Sequence, residues 1–199
     1  MKTWKDGERK VAKLLEEWWG IKFYRSPESG GMATTRANSL PKSMVRNSIG
    51  DIICDQLDPT LDPVYGFPFA VEVKCYKQIS LYSLMTKPDV TSKPLLEQFW
   101  DQAIDQANKA QRQPILIFKE DRKPFFCGIY ADLLYKIIEV MPEQTEDVLN
   151  HVIFHKDIAL MQWAKFFEYF PREFVEITIK KYQLAVPNIN IEQNHETLV

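Results

Sequence analysis

The sequence predicts a mixed α/β domain, and three observations carry that reading: an amphipathic helical pattern at the N-terminus, two short apolar strands divided by turn-rich sequence, and a second amphipathic helix leading into a strand pair. The predicted order through residue 130 is αββαββ, which places the chain in the α/β or α+β class. Its 199 residues, 45% of them hydrophobic, suffice for one compact domain with an extension.

The first helix is expected over Trp4–Trp19, where Trp4, Val11, Leu15 and Trp18 recur at helical period and Gly20 supplies a stop. Ile21–Tyr24 reads as a short strand or turn. The following stretch to Ser48 is rich in Ser, Gly, Thr and Asn without apolar periodicity, and is expected to be a long loop. Gly50–Cys54 and Phe69–Cys75 have strand character, with a Pro-containing loop between them. Leu95–Gln111 repeats Phe99, Ala103, Ala107 and Ala110 on one helical face. Pro114–Lys119 then reads as a buried strand, Glu120–Lys123 as a charged turn, and Pro124–Tyr130 as the return strand.

Residues 131–199 are expected to form an α/β extension packed on this core. It is read as a helix to about Val140, a strand near Val152–Phe154, an aromatic helix over Ile158–Phe170, and a tail flexible from about residue 187.

No stretch approaches the ~18 apolar residues needed to span a bilayer, and the N-terminus lacks a signal-peptide core, so a soluble cytoplasmic protein is expected. Cys54, Cys75 and Cys127 lie far apart without zinc-ligand spacing and are expected as reduced thiols. A net charge of -2 argues against a wholly basic nucleic-acid binder, yet Arg25, Arg36, Lys42 and Arg46 face only Glu28 within one segment.

Candidate chemistry begins on the strand Phe69-Ala70-Val71-Glu72-Val73-Lys74-Cys75, where the two-residue period puts Glu72 and Lys74 on one face. Alone, such a pair equally decorates a sheet with a salt bridge. Upstream, Asp51 follows Gly50 at the start of an apolar strand, a position a simple turn aspartate also occupies. On the first helix, with Trp4 set to 0°, Glu8 falls at about 40°, among Val11 at about 340°, Leu15 at about 20° and Trp19 at about 60°. A carboxylate within an apolar stripe requires a partner, either a basic side chain or a metal.

A helix bearing Glu8, then Gly50-Asp51, then Glu72-x-Lys74, followed by a helix and a strand hairpin, resembles the PD-(D/E)xK nuclease core. With Arg25-Ser26-Pro27-Glu28-Ser29-Gly30-Gly31 after the first helix, it is similar to archaeal Holliday-junction resolvases and related phage-encoded endonucleases. The resemblance covers about residues 4–130. It departs in placing Gly50 where the superfamily name has Pro, and in a longer span from Tyr76 to Pro94.

The resemblance implies a restriction-endonuclease-like core with a central mixed sheet flanked by helices. It implies a Mg²⁺-dependent DNA endonuclease, with Mn²⁺ able to substitute, acting on branched DNA as a homodimer in recombination, repair or phage replication. Asp51 and Glu72 would be direct metal ligands, Glu8 a direct or water-mediated ligand, and Lys74 would position or deprotonate the attacking water. Gln102 is a further candidate, since related phage enzymes carry a similar Trp-x-x-Gln-Ala pattern, although Gln98 and Gln106 lie one turn away on either side. Arg25, Ser29, Gly30, Gly31, Arg36, Lys42 and Arg46 would hold phosphates from a loop tethered beside the site. Alternatives left open are a restriction-like or nicking enzyme on duplex, a non-catalytic DNA-binding protein on the same fold, and an unrelated metabolic domain. The aromatic group Trp163, Phe166, Phe167, Tyr169 and Phe170 suits core or an interface better than a base-stacking platform. No metal is expected at His151 and His155.

Overall fold

The computed structural model describes residues 4–26, 49–54, 66–79 and 93–182. These residues form a seven-stranded mixed sheet in the order β1-β2-β3-β4-β5-β7-β6. The strands are β1 (Phe23–Arg25), β2 (Ile52–Cys54), β3 (Phe69–Tyr76), β4 (Gln113–Glu120), β5 (Phe125–Tyr130), β6 (Ile153–His155) and β7 (Ile158–Gln162). The helices are α1 (Trp4–Trp19), α2 (Leu95–Ala110), α3 (Ala131–Ile138), α4 (Thr145–Leu149), α5 (Trp163–Tyr169) and α6 (Arg172–Lys181). This is the α+β architecture of a restriction-endonuclease-like core.

Strands β3 and β4 are parallel over eight residue pairs and are joined through α2, while the other pairings are antiparallel. The centre of the sheet is covered on both faces, which is why β4 reads as an unbroken apolar run instead of alternating. Ile115 and Ile117 point into one cluster with Val11, Leu15, Trp18, Leu133, Phe166 and Ile179. Leu116 and Phe118 point into the other, with Leu96, Phe99, Trp100 and Ala103 of α2. Small residues at Ala103, Ala107 and Ala110 are fully buried and let α2 lie close to β3.

Among the described residues, 131–182 share the apolar cluster of α1 and add β6 and β7 to the sheet. The expected aromatic helix begins five residues late: Ile158–Gln162 is strand β7, paired with β5 over five residues. Its apolar run resembles one turn of the helix that follows, but β5 offers an open edge and takes it as a strand. Helix α6 was not expected from the sequence; Val175, Thr178 and Ile179 are its buried side. The expected tail from about 187 lies outside the described residues. Among the described residues no helix is long and apolar enough to cross a membrane.

The C-terminal part secures α1. Trp18 donates its indole N–H to the Phe170 carbonyl at 2.7 Å and packs its ring on Trp163 and Phe166 at 5.6 and 5.2 Å. Arg172 donates to the Trp19 carbonyl at 2.7 Å, satisfying a terminal acceptor of α1, and lies over the Trp19 ring at 5.3 Å. Gly20, at φ +74°, then turns the chain out of the helix. Of the aromatic group considered above, Trp163, Phe166 and Phe170 are therefore core.

Because α1 and the C-terminal helices share one apolar cluster, Phe166→Ala is expected to cost about 3–5 kcal/mol. Denaturant unfolding followed by fluorescence and far-UV circular dichroism should give one coincident transition at a lower midpoint; two separate transitions would show that the C-terminal part unfolds independently.

Candidate active site

Strand β2 pairs with β3 at Ile52 and Val71, and immediately before this pair the β2 backbone changes role. Gly50 adopts φ +108°, and a Cβ built there would lie 3.0 Å from the Val71 carbonyl oxygen. Neither proline, whose φ is fixed near about -65°, nor any bulky residue fits that backbone. This accounts for glycine where the superfamily name has proline. The turn carries the Asp51 side chain onto β3, where its Oδ2 accepts the Val73 N–H at 2.8 Å, while the Asp51 N–H donates to the Val71 carbonyl at 2.9 Å. Ser26, just after β1, donates its backbone N–H to the Asp51 carbonyl at 2.8 Å.

Three elements converge on this edge. Glu72 and Lys74 project from β3 on the α2 side, with the Lys74 ammonium paired to Glu72 and lying 5.5 Å from the Phe99 ring centroid. Glu8 enters from α1 on the other face. It is within electrostatic reach of Asp51 and Lys74 and is paired with Arg25 of β1. The approach of α1 is close: a Cβ on Gly7 would meet the Cys75 sulfur at 2.4 Å, so only glycine seats the helix at this depth. Glu8, Asp51 and Glu72 are all buried, at 4%, 7% and 1% exposure.

Burial raises all three carboxyl pKa values, and Asp51 adds repulsion that raises Glu8 and Glu72 further. For Glu72 the value is pushed up to about 7, against opposing help from Lys74 and Gln106. Glu72 thus has Lys74 as its ion-pair partner and Gln106 beside it. For Asp51, the Val73 N–H partly offsets burial.

Gln106, half-buried on α2, is the glutamine that reaches Glu72. Gln102, expected from its local pattern, is exposed one turn earlier. Helical geometry distinguishes them: with Phe99 at 0°, Gln106 falls at about 340°, beside the apolar stripe, and Gln102 at about 300°. Arg25 is engaged with Glu8. Ser29, Gly30, Gly31, Arg36, Lys42 and Arg46 lie outside the described residues. His155 pairs with Glu97 at 2.7 Å.

The donor set fits a hard divalent cation. Its oxygens are carboxylate and buried, and with Glu8 paired to Arg25 and Glu72 to Lys74 the three acids still outnumber the two cations beside them. Among the described residues no three histidine, cysteine or acidic groups form a closed cage.

Buried acids beside a lysine on a mixed sheet match the arrangement by which the sequence resembles the PD-(D/E)xK nucleases. A family model described as "Phage putative PDDEXK endonuclease" matches residues 5–183, and the chain belongs to that family of nucleases, which generally use divalent metals. No curated protein and no solved structure matches the chain.

Two outcomes follow from this geometry. Gly50→Ala is expected to destabilise the protein by about 1–3 kcal/mol, because a side chain is forced into left-handed backbone against Val71; an unchanged urea midpoint would contradict it. In EDTA, melting temperature should fall as pH rises from about 4.5, the ordinary glutamate value, to about 7, since the folded state holds the Glu72 proton more tightly than the unfolded chain. Glu72→Gln should flatten that decline, and a wild-type profile that rises across the interval would reverse the sign.

Proposed function

We propose that the chain is a Mg²⁺-dependent endodeoxyribonuclease in which Asp51 and Glu72 hold the metal directly, Glu8 holds it directly or through a water, and Lys74 orients the attacking water. The observation that carries this reading is the set of three buried carboxylates, two of them raised by repulsion from Asp51, set against only Lys74 and Arg25. Bound there, a divalent cation would lower the pKa of a coordinated water and offset charge developing on the phosphate. Mn²⁺ would substitute.

Each residue has a distinct task. Asp51 is fixed by Val73 and offers its remaining lone pairs toward the edge of β3. Glu72 presents both oxygens, and Gln106 keeps that carboxylate in position from α2. Lys74, held between Glu72 and the Phe99 ring, places an ammonium beside the carboxylates, where it orients a water and shields the leaving oxygen. Arg25 neutralises Glu8 in the absence of metal and lies where a phosphate can take over its guanidinium.

Branched DNA is the proposed substrate and a homodimer the proposed assembly. Both rest on the likeness of the Glu8, Gly50-Asp51 and Glu72-x-Lys74 arrangement to junction resolvases, since symmetric cutting of a two-fold junction needs two sites. Cytoplasmic action, the host cytoplasm for a phage protein, accompanies this proposal.

The test is cleavage of labelled four-way junction, flap, duplex and single-stranded DNA in Mg²⁺, Mn²⁺ and EDTA. Wild type should cut the junction only with metal. Glu72→Ala and Lys74→Ala should each reduce the rate by at least about a hundredfold, and Gln106→Ala should lower it more than Gln102→Ala. Preference for sequence-defined duplex would favour a restriction-like enzyme, and DNA binding without cutting under any metal would leave a binding module. Sedimentation at micromolar concentration should give a dimer, and a monomer would remove that part of the proposal.

A further inference from the structure

The geometry points to a phosphate-binding rim at the C-terminal end of β3, built from Lys5 and Arg9 of α1, Lys77 after β3, and Lys119, Arg122 and Lys123 of the β4–β5 turn. Its partner is the DNA strand continuing beyond the cleaved phosphate, so the inference rests on the nuclease reading and deepens it.

Three contacts bring these segments to one end of the sheet. The N-terminal half of α1 is seated on Cys75 through Gly7. The β4–β5 turn is tied to the end of β3, with Asp121 donating its N–H to the Tyr76 carbonyl at 2.9 Å and Tyr76 in register with Glu120. Lys119 is the register partner of Cys75, and its charge acts on that thiol. The cations at this end therefore lie on the three segments that meet where β3 runs on from Glu72 and Lys74, with Lys5 and Arg9 on the outer side of α1, about 160° from Gly7. From Lys74 to Lys77 is three strand residues, roughly 10 Å, within the reach of a phosphate or two from the site.

The charge balance at this end departs from that of the chain. Six cations face Asp6, Glu120 and Asp121, whereas the whole sequence carries a net -2. Lys5, Arg9, Lys77, Arg122 and Lys123 are exposed. Two of the acids have local work: Asp6 pairs with Arg9 at 3.2 Å, and Glu120 accepts the Ile79 N–H at 3.4 Å.

Along α1, Lys5, Arg9, Lys10 and Lys13 in the first ten residues outnumber Asp6 and Glu8, while Glu16 and Glu17 lie in the last four, so the positive charge of the helix gathers in its N-terminal half.

The experiment compares two triple variants with equal charge change. Arg9→Gln, Lys77→Gln and Lys123→Gln neutralise the rim, while Lys165→Gln, Lys180→Gln and Lys181→Gln neutralise the distant helices α5 and α6. After melting curves establish folding, binding of fluorescent duplex and four-way junction is measured in EDTA by anisotropy across a salt series. The rim variant should bind at least about tenfold more weakly, with a slope of log affinity against log salt shallower by up to about 2.7, at roughly 0.9 for each lost phosphate contact. The distant variant should match wild type.

Equal affinity and slope for the rim variant and wild type, or equal losses in both triples, would overturn the rim. Wild type that binds DNA through the rim but cuts nothing in any metal would leave the rim standing and remove the nuclease reading. Wild type with no DNA affinity would remove both.

Discussion

The site depends on one substitution of partners along β3: at Val73, an aspartate side chain accepts the N–H that a neighbouring strand would otherwise take. Strand pairing between β2 and β3 is reduced to Ile52 and Val71, and the polar edge beyond cannot remain unpaired in a buried setting. Asp51 satisfies it while keeping a carboxylate at the sheet edge. Gly50 makes this possible by a backbone conformation that places the chain flush against Val71. A longer β2–β3 ladder would satisfy the same backbone groups and close the edge through which Glu8, Glu72 and Lys74 meet.

Convergence also needs two helices on opposite faces at fixed heights. Helix α2 is set by alanines against β3 and brings Gln106 to Glu72. Helix α1 is set at its N-terminal half by Gly7 on Cys75 and at its C-terminus by Trp18, Trp19 and Arg172. The second set of contacts comes from sequence more than 150 positions away. Residues after β5 therefore support the site without reaching it, since they hold the far end of the helix that bears Glu8.

What the sequence made legible was whatever depends on local period. Helical spacing placed Glu8 in the apolar stripe of α1, and strand alternation put Glu72 and Lys74 on one face. The same arithmetic applied to α2 favours Gln106 over Gln102, whereas a short pattern around Trp100 pointed to the exposed residue. The identity of Ile158–Gln162 as a strand was not local information: its apolar run suits helix or strand, and the open edge of β5 decides between them. The conformation of Gly50 was likewise hidden, because a glycine signals freedom and only its contact with Val71 shows why freedom is needed. Helix α6 is not legible from local period because its polar residues mask a narrow buried line of Val175, Thr178 and Ile179.

Charge explains why so costly an arrangement persists. On the proposed assignment, Glu8, Asp51 and Glu72 face Lys74 and Arg25, so the fully ionised site carries one net negative charge in a buried setting. The protein on its own relieves this by raising carboxyl pKa values, with Glu72 at about 7. A divalent cation reverses the sign of the site, and one phosphodiester then restores neutrality. Neither ligand alone balances the charge, so each favours the other through the electrostatics of the site, without any movement of the fold. The stability withheld by burying these acids is thereby returned most fully when metal and phosphate are present together, which is the state in which cleavage takes place.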